Sequence, residues 1–263
     1  MSKITKPFGK LKPRDVGPEE KLTFGTSNVK LKGSKTATFS LPAGYSCPCA
    51  KKCLAWVDQT TKKLVDGEHS EFRCYAASQE AVYTNVWKSV YKNYSMLQHA
   101  KTTERMAAVI DMHLPSKYYK FIRVHADGDF FNQSYFLAWM EVARRNPDRI
   151  FYAYTKNISM WKKCEKLIPD NFAMTASLGG TQDHLIEEYG FRYAQVVYHP
   201  DEAEELGLEV DHDDSHARSL TGGSFGLLIH GQQKKSSKGS AAIKKMKDEG
   251  VQYAYSRKKL EKL

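Results

Sequence analysis

Four of the chain's five cysteines fall close together: Cys47, Cys49 and Cys53 in "YSCPCAKKCLAW" (residues 45–56), and Cys74 in "FRCYAA". Their spacing is C-x-C-x3-C-x20-C. Zinc ribbons and fingers favour paired knuckles with two to four residues between cysteines, which this run lacks. The ferredoxin runs do not match either. Three thiolates drawn from a loop and a helix start nevertheless suit an iron–sulfur cluster of the 4Fe-4S type. Cys74 opens a helical pattern, where the N-terminal dipole favours a thiolate. With Cys47, Cys53 and Cys74 as ligands, one iron stays open for a ligand or substrate; Cys49 is a further candidate. Zinc, or structural and redox thiols, are alternative uses of the same residues. Cys164 lies in a separate helical pattern near Trp161 and reads as a packed thiol.

A second set of reactive residue types recurs where strands are predicted to end. In parallel β/α folds chemistry gathers at the C-terminal ends of strands. Those ends supply His125, Asp127 and Asp129 from "HADGD", then Lys156, Ser177 with Gly179 and Gly180, His199 and His230. Period-2 alternation predicts Arg123, His125 and Asp127 on one face of their strand, with Ile122 and Val124 on the other. Each position taken alone reads as an ordinary loop start; the recurrence at five strand ends marks a rim. His125, Asp127, Asp129, Lys156, His199 and His230 are the candidate catalytic residues. Ser177, Gly179 and Gly180 are candidates for cofactor binding. The run "DHDDSHARS" (residues 211–219) suits a divalent cation as well as a solvated loop. It sustains a rival reading, a divalent-metal phosphoesterase or nuclease using Asp127, Asp129, Asp211 and Asp213, with structural zinc on the cysteines.

The elements that must position these groups follow from periodicity. Residues 36–41, "TATFSL", alternate as a short strand leading into the cysteines. From Cys74, Ala77, Ala81, Val82, Val86 and Val90 recur at helical spacing, and a second helix starts at Thr102 or Thr103 and ends by Pro115. Beyond residue 119 the texture changes to strand and helix in alternation. "KFIRVHADGDFF", "RIFYAYTKN", "NFAMTASLGG", "RYAQVVYHP" and "SFGLLIHG" are strands with helices between them, and a Lys-rich helix closes the chain. Such alternation predicts parallel β/α units. Five strands are too few to close an eight-stranded barrel, so the expected fold is α/β, a partial (open) β/α barrel with an N-terminal cysteine-rich segment. It divides into an irregular basic segment (1–35), a single α/β domain (36–230) with the cluster-binding loop at 45–76, and a basic C-terminal helix or tail (231–263).

The chain has 263 residues, 41% of them hydrophobic, enough for a full core rather than a disordered chain. The net charge of +10 sits at the ends: residues 1–35 carry nine Lys/Arg against three Asp/Glu, and residues 231–263 ten against three. Basic ends of this kind hold phosphates, so nucleic acid is a candidate partner through the termini. The opening "MSKITKPFGKLKPRDVG" lacks an apolar signal region, and no apolar run is long enough for a bilayer. The expectation is a reducing cytoplasm and no membrane, where clustered cysteines bind metal or do chemistry.

"TFGTSNVKL", "TFSLPAGYSCPCAKKC", "EFRCYAASQE", "RVHADGDFFNQSYFLAWMEVARRNPD" and "FGLLIHGQQ" together resemble the phage gene product 88 family, over roughly residues 20–235. The resemblance implies a bacteriophage protein working in the host cytoplasm. In that family's pattern the position of Cys49 is a small residue, which implies that Cys47, Cys53 and Cys74 are the ligands. A looser likeness is to radical S-adenosylmethionine enzymes. They pair a three-cysteine, four-iron cluster with a partial β/α barrel and a strand-end Gly-Glu motif for the methionine amine. "CYA" and "ADGDFF" are similar in kind, although those enzymes use C-x3-C-x2-C in one loop and this chain spreads three cysteines over 28 residues. The likeness implies S-adenosylmethionine as a cofactor and radical chemistry, on a nucleotide or nucleic acid given the basic ends. A non-catalytic nucleic-acid-binding protein is the remaining alternative.

Overall fold

The computed structural model of the chain describes residues 7–31 and 33–253. After an irregular start, β1 (Phe24–Gly25) pairs antiparallel with β2 (Thr36–Ser40). A small hairpin, β3 (Ala55–Val57) and β4 (Leu64–Asp66), follows the first three cysteines. Three helices come next: α1 (Tyr75–Val82), α2 (Thr84–Ala100) and α3 (Thr103–Met112). Then strand and helix alternate: β5 (Phe121–Asp127), α4 (Gln133–Arg145), β6 (Ile150–Thr155), α5 (Ile158–Cys164), β7 (Phe172–Ser177) and α6 (His184–Glu188). The chain continues through β8 (Tyr193–Val197), α7 (Pro200–Glu205), β9 (Glu209–Val210), α8 (Ser215–Arg218), β10 (Phe225–Leu228) and α9 (Lys238–Asp248).

Eight strands form one sheet in the order β1-β2-β5-β6-β7-β8-β10-β9, with every neighbouring pair parallel except β1 and β2. The sheet is open, with β1 and β9 at its edges, and it does not close into a barrel. The five expected parallel strands are all present, and β2 and β9 extend them. The cysteine-rich stretch is a loop plus the β3–β4 hairpin rather than a separate unit.

Alternation along the strands divides the two faces. Ile122, Val124, Phe151 and Ala153 pack into the main core beneath α2–α6, while Tyr152, Ala173, Ala194 and Phe225 face the other way around Ala217 of α8. Trp139 of α4 is completely buried, its ring centroid 5.3 Å from Phe39 and 6.3 Å from Phe151. The N-terminal segment is irregular but not detached. Leu11 and Leu22 enter the core, and Asn93 of α2 bonds both the amide and the carbonyl of Thr23. The helix expected after Cys74 is broken at Tyr83, which takes extended backbone (φ −112°, ψ 100°) between α1 and α2. At the other end α9 packs Met246 against Val197 and Ile229. Residues 254–263, which carry Arg257, Lys258, Lys259 and Lys262 of the basic tail, lie outside the described residues. No helix among the described residues is long and apolar enough to cross a membrane.

Candidate functional site

The loop after β2 carries Cys47 and Cys53, and its backbone is tied down on several sides. The Ala43 amide donates to the buried Glu80 carboxyl of α1 (2.8 Å), and the Leu41 amide to the Asp127 carbonyl (2.9 Å). The amides of Lys51 and Lys52 donate to the Gly179 carbonyl, and the Thr181 amide to the Cys49 carbonyl. Cys74 is the N-cap of α1, as the sequence predicts. These two segments bring Cys47, Cys53 and Cys74 to one cavity of about 190 Å³ at the C-terminal ends of the parallel strands. All five cysteines are free thiols.

Burial, rather than the helix dipole, governs Cys47 and Cys74. Burial, then Asp129, then Cys74 and Cys53 hold Cys47 well above its usual 9.0. Burial and Cys53 push Cys74 up to about 12, against the first-turn amides of Ala77 and Ala76. The expected thiolate at the helix start is therefore a neutral thiol. Among the described residues no group of three His, Cys, Asp or Glu is placed to hold a metal ion.

The same cavity gathers His125, Asp127, Asp129, Lys156, Ser177 and His230 from the ends of β5, β6, β7 and β10. Their bonds separate wall-builders from available groups. The Lys156 ammonium donates to the Ser177 hydroxyl (2.7 Å) and to the carbonyls of Ser177 and Leu178, so it braces the ends of β6 and β7. Asp129 accepts from the Lys156 amide, the Thr155 hydroxyl and the Phe130 amide. Asp127 carries a carboxyl raised by burial, against bonds from Ser40 and Tyr75 and the charge of Arg123. His230, lowered by burial, donates through Nδ1 to the Leu228 carbonyl, which leaves Nε2 as an acceptor.

Asp129 makes a pH dependence measurable. Burial raises its carboxyl from 3.8 to about 6. Between those values the folded chain holds a proton that the unfolded chain has released, so stability falls as pH climbs through about 6 and is favoured below about 4. Asp129→Asn is expected to flatten the curve of urea midpoint against pH over this window. An unaltered curve would remove Asp129 from the account.

Four predicted residues lie elsewhere. His199 caps α7 and bonds Glu249 beyond α9 (2.6 Å), outside the cavity. Gly179 and Gly180 hold the cysteine loop and donate their amides to Asp183, without lining the cavity. Cys49 is buried and turned out of the cavity that the other three share. The predicted shared face of Arg123, His125 and Asp127 is also corrected. The register runs from Val124 opposite Phe39 to Asp127 opposite Ser40, so β5 bulges, and His125 takes φ +68°. Its ring is thereby turned toward α4, with Nε2 3.0 Å from the Tyr135 hydroxyl. The rival hydrolytic set does not converge. Asp213 pairs with Arg218 and accepts from the Ser215 amide, and Asp211 accepts from the amides of Asp213 and Ala217.

Sequence reasoning missed Tyr75, whose hydroxyl donates to the Ala126 carbonyl and whose ring lies 4.9 Å from His230. Tyr75, Arg123, Asp127, Tyr154 and His230 also line a larger cavity of about 550 Å³, so the two spaces share a wall. Its position directly after the last clustered cysteine was the available signal. Gly128, in the "HADGD" turn, has φ +89°, and a Cβ there would lie 2.6 Å from Ser46 Oγ and 2.8 Å from Leu41 Cβ. Gly128→Ala is expected to destabilise by about 1–3 kcal/mol in thermal unfolding, displacing the loop at Cys47; an unchanged midpoint would contradict this close packing.

A family model for gene product 88 matches residues 16–248. The chain belongs to the gene product 88 family. Gene 88 protein of Mycobacterium phage L5 is 32% identical over 128 residues, and that of Mycobacterium phage D29 30% identical over 128 residues. Each alignment covers 45% of this chain and 47% of the relative, so the chain spans about half the length of the curated relatives it matches. The gene product 88 match takes in every strand and helix from β1 to α9 and all three cavity thiols. No solved structure matches the chain, so the likeness to radical S-adenosylmethionine enzymes has no such match behind it.

Proposed function

We propose that Cys47, Cys53 and Cys74 hold a four-iron, four-sulfide cluster, and that the protein is an enzyme of reductive or radical chemistry on a small molecule in the adjoining cavity. The observation that carries this reading is the convergence of three thiols, from a loop and a helix start 20 residues apart, on one cavity at the strand ends. Cys47 and Cys74, both raised, are neutral and inert by themselves; with Cys53 beside them they suit a cation that takes their protons. A cluster spreads the thiolates over several irons, one each, whereas a single zinc needs them around one point. With Cys49 outside the cavity, the donor set leaves one iron open.

Cys47, Cys53 and Cys74 would hold the cluster, which would supply low-potential electrons for reductive or radical chemistry, with S-adenosylmethionine as the cofactor that the likeness implies. This chain's residues hold and orient the small molecule. Asp127 accepts from an amine, His230 Nε2 accepts from a donor or takes a proton, and Tyr75 and Tyr154 enclose the substrate away from water. A cavity of about 550 Å³ suits a nucleotide-sized substrate rather than a polymer. The unbroken strand order from β2 to β8, in which each strand pairs with the next strand of the main sheet, fits a partial barrel open at this mouth.

The test is to express the protein with iron supplied, purify it without oxygen, and measure iron, sulfide and zinc per chain. About four iron and four sulfide are expected. About one zinc and no sulfide would overturn the reading.

A further inference from the structure

Register sets Arg123 of β5 opposite Thr38 of β2, and Asp127 opposite Ser40, so two steps along β2 are matched by four along β5. Thr38 and Ser40 are alternate residues on one face, about 7 Å apart. The bulge therefore brings Arg123 and Asp127 side by side at about that spacing. All four residues line the cavity of about 550 Å³.

The two charged groups are opposite in hydrogen-bonding character and are not joined. A guanidinium carries only N–H donors, and an ionised carboxylate only accepts. Among the described residues the Arg123 ion pair is with Asp214, through Nη1 at 2.7 Å, and not with Asp127. Arg123 Nε has no partner, and the guanidinium lies over the Tyr154 ring, 5.2 Å from its centroid, which fixes its plane. Asp127 takes bonds from Ser40 and Tyr75 and keeps acceptor sites to spare.

Charge and shape narrow the occupant. Lys30 and Arg123 share Asp214, and the Asp211 side chain is completely buried against the amides of Asp213 and Ala217. The cavity thus meets its occupant with a donor and an acceptor in near balance. Such a pair suits an uncharged edge carrying both kinds of group better than a bare anion or cation. Tyr75, Tyr154 and His230 add ring surface, with the Tyr75 and His230 rings 4.9 Å apart. Ring surface favours a planar heterocycle over an aliphatic molecule.

We infer that the larger cavity binds a heterocycle with the 2-amino-4-oxopyrimidine edge that guanine and pterins share. Its carbonyl oxygen accepts from Arg123, while its ring N–H and exocyclic amino group both donate to Asp127. Adenine has an amino group but no carbonyl, so it satisfies neither partner in full. The inference rests on the reading of this cavity as the substrate's place, names the substrate class, and holds with or without the cluster.

The test is calorimetric titration of the full chain, expressed with iron and purified without oxygen, with guanosine, neopterin, inosine and adenosine. Iron and sulfide are measured on the same sample. Inosine is guanosine without the exocyclic amino group, so it isolates the second bond to Asp127. Guanosine or neopterin is expected to bind at least about 10-fold more tightly than inosine or adenosine, and the tighter of the two identifies the source of the edge. In Asp127→Asn an acceptor gives way to a donor facing the amino group, so the advantage over inosine should largely vanish. Equal binding of all four compounds, or no binding of guanosine and neopterin, overturns the inference. So does an undiminished advantage over inosine in Asp127→Asn; should that variant not fold, the wild-type comparison decides alone. Selectivity without iron and sulfide overturns the cluster and leaves this site standing, and iron and sulfide without selectivity do the reverse.

Discussion

Asp214→Ala is expected to cost about 3–5 kcal/mol of folding free energy in guanidinium unfolding. The carboxylate is completely buried, 2.7 Å from Arg123 Nη1, 2.7 Å from Lys30 Nζ and 3.0 Å from the Tyr152 hydroxyl. Burial pushes its pKa up, but Arg123 and then Lys30 outweigh it and hold it at about 2, below the usual 3.8. This stability is present above about pH 4 and is lost as pH falls through about 2. Removing the carboxylate strands the Arg123 guanidinium deep beside Tyr152 and Tyr154. Lys30→Ala removes the more exposed partner and leaves the Arg123 pair intact, so it should cost only about 1 kcal/mol. Asp214→Asn keeps a bond to Tyr152 and the left-handed conformation (φ +63°), and should fall between. Equal losses in Asp214→Ala and Lys30→Ala would show that the two cations do not depend on this centre.

The largest effect on composition is expected among the cysteines. On the proposed cluster reading, Cys47→Ala, Cys53→Ala and Cys74→Ala should each lose most of any iron and sulfide that the wild type holds, because two thiolates would be too few ligands for it. Cys49→Ala and Cys164→Ala should keep wild-type content, since neither thiol reaches the cavity. The comparison separates a site from a general sensitivity of the fold to cysteine loss. Equal iron in all five variants, or loss in Cys49→Ala alone, would reject the assignment of ligands.

Much of the frame could be read from the chain. The strands from β5 to β8 carry strict alternation, as in "IFYAYT", where Phe151 and Ala153 meet the helices and Tyr152 and Tyr154 the other face. What periodicity cannot express is a break in itself. One bulge at His125 turns that side chain toward α4, while Arg123 and Asp127 on either side still line one cavity, so the predicted face of β5 failed there and only there. At the thiols the grouping of Cys47, Cys53 and Cys74 agrees with the cavity they share: the 20 residues between Cys53 and Cys74 hold the β3–β4 hairpin, so distance along the chain says little about separation in space. "DHDDSHARS" looked like a solvated or cation-binding loop, because composition does not reveal that Lys30 and Arg123 meet Asp214 from far along the sequence. Gly179 and Gly180 show the converse: a glycine pair that suggested cofactor binding serves the backbone of the cysteine loop.

An open sheet also has a liability that the fold handles at its margins. Both outermost strands are only two residues long, Phe24–Gly25 on one side and Glu209–Val210 on the other. Each exposes too few unpaired peptide groups to template a strand from a neighbouring molecule. The sheet can thus stay open at high concentration without seeding edge-to-edge aggregation.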